Sequence, residues 1–360
     1  MHAINADRKP RPAGTIARVW YTLMAIGLVA FAFQMGLTPA LYAQENPLDT
    51  VQTKAPPPPK PTGPPVVKET PQQAAANATS HPDVRIRVDT NLVIIPATVT
   101  DPMNRLVTGL ERDNFTIYED NVLQPIKSFS VEDSPVSIGI IFDLSGSMSS
   151  KITNARHALS EFLRTANPQD EFFVIGFNDR PQVIVDYTSN VDDIEARMMQ
   201  LKPENRTALL DAIYMGVDKL KQSKYERRAM IIVSDGGDNR SRYSERELRN
   251  AVRESDLQIY AIGIFDFYAT TPEEVAGPML LTDICDMTGG RMFRASDTSE
   301  LGDIATAISS ELRNQYVIGY KPLNVKQDAT WRKVKVRLQP PPGLPLLTVH
   351  ARNGYYAPSP

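Results

Sequence analysis

Five oxygen-bearing side chains occupy positions where one folded domain could bring them together around a metal ion. Asp143 follows an apolar run, and Ser145 and Ser147 come directly after it in the stretch DLSGS. Thr207 opens the helical stretch TALLDAI, and Asp235 follows a second apolar run in IIVSDGGD. Carboxylate and hydroxyl oxygens are the ligands that hard divalent cations prefer. The residue types therefore predict a site for Mg²⁺, or for Mn²⁺ or Ca²⁺.

The roles of the five differ with their charge. The hydroxyls of Ser145, Ser147 and Thr207 can offer neutral oxygens directly, and the carboxylates of Asp143 and Asp235 can bind directly or through water. Neutral ligands leave the ion short of negative charge, so it would still attract a carboxylate from outside. Serine or aspartate at a helix start is also a common N-cap, and we assign only that role to the next two serines, 149 and 150.

The hydrophobic pattern predicts the strands and helices that must position these residues. From Val136 to about Ser310, apolar strands alternate with helical stretches. That alternation predicts an α/β fold with a doubly wound, mostly parallel sheet covered by helices on both faces. Ligands of such sheets bind outside the carboxyl ends of the strands, where Asp143 and Asp235 stand.

Strands of a different kind flank this α/β region. The period is two from His81 to about Pro135, and strands return from Gln315 to Tyr356. Neither group has much surface to bury by itself. We therefore expect the two groups to form one small antiparallel β domain, with the α/β domain inserted between them.

The spacing Asp143-x-Ser145-x-Ser147, followed by Thr207 and Asp235, resembles the metal-ion-dependent adhesion site of von Willebrand factor A domains. The likeness extends to RTALLDAI, IIVSDGGD and TGGRMFRASD. The flanking LVTGLERDNFTIYED, QYVIGY and ARNGYY are similar to those of bacterial exported proteins that carry a related domain. In many family members small residues precede the threonine, where this chain has Asn205 and Arg206. The resemblance implies a Rossmann-like fold and a metal-dependent binding function.

The N-terminus carries basic residues, then the apolar run from Val19 to Phe33, then small residues. This order predicts a secretory signal peptide cleaved after Ala43; the competing interpretation, an uncleaved anchor, needs a longer run. A Pro-rich segment follows. The predicted organisation is a signal peptide at 1–43, a linker at 44–80, the first part of the β unit at 81–135, a von Willebrand factor A domain at 136–312 and the second part of the β unit at 313–360.

Composition and motifs also bear on which classes of function this chain could have. The net charge of −3 gives no electrostatic reason to expect nucleic acid as a partner. The single cysteine, Cys285, excludes an intrachain disulfide and is expected to be a small buried hydrophobe. No Gly-x-Ser-x-Gly elbow is present, and His157 is expected to be a solvated helix position and not a catalytic base. Metal-assisted hydrolysis with Asp179 or Asp238 near the site stays open as a minor alternative.

These observations predict an exported, non-enzymatic protein (periplasmic, cell-surface or secreted) that captures an Asp or Glu of a partner protein through its metal ion. A membrane is expected to be involved only if the N-terminal segment escapes cleavage. The alternative is a structural or scaffolding envelope protein with a vestigial metal site. The sequence does not specify the partner, the organism, the oligomeric state or the preferred cation.

Overall fold

The computed structural model describes residues 92–265, 272–295 and 297–360, which all belong to one compact unit, Val84–Pro360. The expected signal peptide, the Pro-rich linker and the first residues of the β unit lie outside the described residues. Within the described part of the chain, no helix is long and apolar enough to cross a membrane.

The described secondary structure is mixed. The strands are β1 (Val93–Thr100), β2 (Phe115–Glu119), β3 (Val122–Gln124), β4 (Ile126–Glu132), β5 (Ser137–Asp143), β6 (Glu171–Phe177), β7 (Pro181–Thr188), β8 (Arg228–Ser234), β9 (Gln258–Gly263), β10 (Met292–Arg294), β11 (Gln315–Tyr320), β12 (Trp331–Leu338), β13 (Thr348–Ala351) and β14 (Gly354–Tyr356). The α-helices are α1 (Ile152–Thr165), α2 (Val191–Gln200), α3 (Leu209–Leu220), α4 (Glu245–Glu254), α5 (Pro272–Thr288) and α6 (Leu301–Arg313).

The central sheet has six strands in the order β10-β9-β8-β5-β6-β7. Neighbouring strands within this sheet are parallel, except that β7 pairs antiparallel with β6 at the edge. All seven residues of β5 are buried, as expected for a strand covered on both faces. Ile140 packs in a core with α1, α2 and α6, whereas Ile141 packs in a second core with α3, α4 and α5. The predicted doubly wound α/β fold is confirmed.

Two four-stranded antiparallel sheets accompany it, in the orders β13-β1-β11-β4 and β14-β12-β2-β3. Each sheet combines strands from before the α/β region with strands from after it: β1 pairs with β11, and β2 pairs with β12. A third core lies between them, in which the rings of Phe115, Phe129 and Tyr316 are 5.0–5.9 Å apart. This arrangement agrees with the expected sharing of one core, while the domain boundaries themselves stay a prediction.

One buried carboxylate of this β unit is fully enclosed by partners. Glu119, the last residue of β2, accepts hydrogen bonds of 2.8 Å from the hydroxyls of Tyr320 and Tyr355. The guanidinium of Arg332 donates to it at 3.5 Å and also donates to two backbone carbonyls, those of Asn324 and Lys326. The charge of Glu119 is therefore compensated where it lies.

Candidate metal centre

Asp143 lies at the carboxyl end of β5, in the middle of the six-stranded sheet, and its side chain has no exposed surface. One carboxylate oxygen accepts from the backbone N–H of Ser145 at 2.8 Å, and the other accepts from the hydroxyl of Ser234 at 2.6 Å. Burial and the nearby charge of Asp235 raise the pKa of Asp143 to about 7. The ionised form is therefore poorly compensated by the chain itself.

The other buried carboxylates among the described residues contrast with Asp143. Each lies within 3.8 Å of an arginine or lysine nitrogen; they are Asp101, Glu119, Asp170, Asp211, Asp235 and Glu311. Asp143 has no cationic side chain as a partner within the described part of the chain. A buried carboxylate without a cation is costly, so Asp143 marks the place where a cation from solution would bring the largest electrostatic gain.

The two serines that follow Asp143 face each other. The hydroxyls of Ser145 and Ser147 are 3.0 Å apart, with Ser145 buried and Ser147 exposed. Their loop is fastened to the segment before Thr207, because the N–H of Gly146 donates to the carbonyl of Asn205 at 3.0 Å. Two hydroxyls in contact at the surface end of a buried carboxylate form the oxygen-rich edge that the sequence predicted.

Thr207 lies one residue before the N-cap of α3 and is nearly buried. Its N–H donates to the side-chain oxygen of Asn239 at 3.1 Å, and its carbonyl accepts from the N–H groups of Asn239 and Arg240 at 3.0 and 3.1 Å. These bonds tie the threonine to the loop that begins with Asp235. The structure thus places Thr207 in the second of three loops that hydrogen-bond to one another.

Asp235 follows β8 and is also buried. The ammonium of Lys151 lies 3.8 Å from one of its oxygens, and the N–H of Gly237 donates to the other at 3.4 Å. The next residue, Gly236, has a φ of +81°, and its backbone approaches Gly277 in α5 so closely that Gly277 has no room for a Cβ atom. Helix α5 therefore packs directly on the loop that carries Asp235.

The donor set as a whole fits a hard cation. It comprises two carboxylates and three hydroxyls on three mutually bonded loops, and it holds no thiol or imidazole. Among the described residues, no cluster of three or more His, Cys, Asp or Glu side chains could hold a metal. An oxygen-only set of this kind suits Mg²⁺, which keeps several water ligands. The assignment of the five side chains as ligands stays a prediction.

Sequence reasoning missed three residues that position the centre: Ser234, which donates to Asp143, Asn239, which accepts from Thr207, and Lys151, beside Asp235. Ser234 directly precedes Asp235 in the stretch SDGG, so its proximity could have been a signal. Lys151 carries no comparable signal, because its contact joins residues that are distant in sequence.

The side chains considered for hydrolysis have structural contacts instead. Asp179 accepts from the N–H of Arg206 at 3.2 Å. Asp238 accepts from the hydroxyl of Ser241 at 2.6 Å and from the N–H of Leu210 at 3.4 Å, and burial raises its pKa. His157 is exposed on α1, as expected, and Cys285 is buried on α5, as expected.

Comparisons with known proteins agree with this geometry. Residues 138–237 match the model of the von Willebrand factor type A domain. An uncharacterized protein of Borreliella burgdorferi is 25% identical over 187 residues, which cover 44% of this chain and 54% of that protein. The match thus spans little more than half the length of this curated relative.

Solved structures to which this chain is similar include a von Willebrand factor type A protein from Catenulispora acidiphila, with a TM-score of 0.44 and 12% identity over 74% of this chain and 73% of that one. The conserved hypothetical protein BatB from Bacteroides thetaiotaomicron gives a TM-score of 0.40 and 18% identity over 50% of this chain and all of that one. The matched residues 138–237 run from β5 to the loop of Asp235. Residues 138–237 of this chain thus match the von Willebrand factor type A domain, the family that the spacing of Asp143, Ser145 and Ser147 resembles.

Proposed function

We propose that this chain is an exported binding module that captures an acidic side chain of a partner protein through a divalent cation. Ser145, Ser147 and Thr207 would hold the ion with their hydroxyls, and Asp143 and Asp235 would hold it directly or through water. Bound there, the ion supplies an electrophilic position for a carboxylate from outside.

The observation that carries this proposal is that the buried carboxylate of Asp143 has no arginine or lysine partner among the described residues. Its carboxylate is buried beside Asp235, whereas the other buried carboxylates of the described chain have an arginine or lysine. A divalent cation would relieve the repulsion that raises the pKa of Asp143. The hydroxyl pair of Ser145 and Ser147, 3.0 Å apart, offers oxygens without adding negative charge.

The charges favour an acidic partner. Asp143 and Asp235 contribute two negative charges, and Lys151 contributes one positive charge. A divalent cation would then leave the centre with a net charge of about +1. The exposed Ser147 lies at the surface, so this positive charge is accessible to an aspartate or glutamate of a partner.

Family membership supports a binding role. Von Willebrand factor type A domains are in general interaction modules and not enzymes. We propose the same for this chain, because Asp179 and Asp238 already hold loops and His157 lies exposed on a helix. Export is proposed from the basic, apolar and small segments of residues 1–43. A scaffold role with a vestigial centre is the alternative that the first experiment addresses.

The test is a Mg²⁺ titration of the purified full chain, followed by its thermal midpoint. A ligand that binds only the native state stabilises it by about 2.7 kcal/mol at a hundred times its Kd, which corresponds to a rise of several degrees. We expect this rise for the wild type and its loss in Asp143→Asn, which keeps the side-chain shape but lacks the charge.

A matched control is Asp170→Asn, since Asp170 is also buried but pairs with Arg313. This variant should be less stable than the wild type and should keep the Mg²⁺-dependent rise. A wild type whose midpoint does not respond to Mg²⁺, Mn²⁺ or Ca²⁺ would contradict the metal-dependent function and favour the scaffold.

A further inference from the structure

We propose that the candidate metal centre and an adjoining arginine-lined groove together recognise a segment with several acidic residues, and not a single carboxylate. This inference rests on the proposed function, because one acidic residue of the segment would bind the ion. The groove would bind the neighbouring carboxylates and so determine which acidic partners are selected.

The groove is connected to the loop of Thr207 through Arg240, whose N–H donates to the Thr207 carbonyl. It has a volume of about 750 Å³ and lies between α3, the loop after β6 and the loop after Asp235. Arg180 and Arg240 line it from two different loops. The loop that carries Arg206 and Thr207 is joined to both of these loops. The N–H of Arg206 donates to Asp179, and the N–H of Arg240 donates to the carbonyl of Thr207. Arg180 and Arg240 therefore line the groove, and Arg206 lies on a loop that is hydrogen-bonded to both of theirs.

These three arginines have exposed side chains that are not paired with any described residue. The guanidinium groups of Arg180, Arg206 and Arg240 make no hydrogen bond or ion pair with any described residue. Elsewhere in the described chain, many arginines are engaged, such as Arg291 with Glu311 and Arg313 with Asp170. Unpaired guanidinium groups on three joined loops are suited to bidentate contacts with carboxylates.

The carboxylates of the groove do not neutralise the rim. Asp211 is buried and accepts from the N–H groups of Arg242 and Tyr243, and Arg242 also pairs with it through Nε at 3.2 Å. Asp218 accepts from Lys221 at 3.3 Å. Asp179 already accepts from a backbone N–H. Asp211 and Asp218 thus have cationic partners of their own, and the three unpaired arginines outnumber the one remaining carboxylate, Asp179.

The wall of the groove favours a peptide over an acidic polysaccharide. The rings of Tyr214 and Tyr243 stack with centroids 4.0 Å apart, and Met215 and Pro181 extend the apolar surface. An acidic peptide can present apolar side chains to this wall and carboxylates to the arginines. A uronic-acid polymer carries the carboxylates but lacks apolar side chains.

The experiment uses two fluorescein-labelled glycine-serine peptides of equal length, one with a single aspartate and the other with several. Fluorescence polarisation gives their Kd for the full chain in Mg²⁺ and in chelator. We expect the wild type to bind the polyacidic peptide about tenfold more tightly than the single-aspartate peptide, with a strong dependence on salt.

The double variant Arg180→Gln with Arg240→Gln should lose this preference while its thermal midpoint still rises with Mg²⁺. Arg206→Gln should lose part of it. The matched control is Arg197→Gln, an exposed arginine on α2 that does not line the groove, and it should bind both peptides as the wild type does.

Equal Kd values for both peptides, or a preference that survives the double variant, would overturn the inference. So would an alginate oligosaccharide that displaces the polyacidic peptide and depends on the same arginines. The proposed function fails separately: in that case the single-aspartate peptide shows no Mg²⁺-dependent binding, whatever the arginine variants do.

Discussion

Glu119 and Asp143 occupy equivalent places in two different parts of the molecule, since each is the buried last residue of a strand. Glu119, in the β unit, accepts from two tyrosine hydroxyls and pairs with Arg332. Asp143, in the α/β sheet, accepts from a serine hydroxyl and a backbone N–H and lies near a second carboxylate. The chain compensates the first charge internally, whereas we propose that a cation from solution compensates the second. On this proposal, a buried carboxylate stabilises the fold in one region and binds a ligand in the other.

The largest expected effect comes from removing the internal compensation. Arg332→Met leaves Glu119 as an unpaired buried charge, which should lower the free energy of unfolding by about 3–5 kcal/mol. Urea unfolding at neutral pH measures this loss. Lys335→Met, an exposed position on the same strand, is the control and should change stability little. If both variants unfold alike, Glu119 is not compensated by Arg332.

The next largest effect is the pH dependence of the free energy of unfolding that Asp143 causes. The pKa of Asp143 in the folded chain is raised from 3.8 to about 7. Over that interval the folded state binds more protons than the unfolded state, so this residue's contribution to stability is lost as the pH rises. Relative to Asp143→Asn, the wild type should lose on the order of 2–4 kcal/mol across the interval. Saturating Mg²⁺ should remove the difference in slope. Parallel pH profiles for the two proteins without metal would refute this.

A smaller effect is expected from a variant in which Asp235, like Asp143, has no ammonium or guanidinium group beside it. Lys151→Met removes the ammonium that lies 3.8 Å from Asp235. The free energy of unfolding without metal should fall by about 1–2 kcal/mol, and the affinity for Mg²⁺, measured by calorimetry, should rise about tenfold. Affinity for the single-aspartate peptide should fall, because the loaded centre loses one positive charge. An unchanged or weaker affinity for Mg²⁺ would show that Lys151 does not compete with the ion.

The smallest effect on stability is expected at the surface of the centre. Ser147 is exposed, and its hydroxyl contacts only that of Ser145 among the described residues. Ser147→Ala should change the free energy of unfolding without metal by less than about 0.5 kcal/mol. It should nevertheless reduce the Mg²⁺-dependent rise in thermal midpoint. Ser149→Ala, on the same loop, is the control, and an identical response of both variants would argue against Ser147 as a ligand.

The features of this molecule that could be predicted are those that depend on residues close together in the sequence. The apolar run before Asp143 and the spacing of Ser145 and Ser147 predicted both the strand and the oxygen-rich loop. The hydrogen bond from Ser234 to Asp143 spans 91 residues, and the bond from Arg332 to Glu119 spans 213. Such contacts depend on how strands from distant segments are placed side by side, which residue patterns do not encode. The compensation of charge was therefore visible only in the fold.

The close contact between Gly236 and Gly277 joins the loop of Asp235 to the helix that carries Cys285, the only cysteine of the chain. Cys285 is fully buried, so a thiol reagent should reach it only when α5 opens, and burial with the charge of Asp286 also raises the pKa of its thiol well above its usual range. The native chain therefore carries its own kinetic reporter. The labelling rate of Cys285 measures how often α5 detaches from the Asp235 loop, and an ion held by that loop should slow the reaction without any probe being introduced.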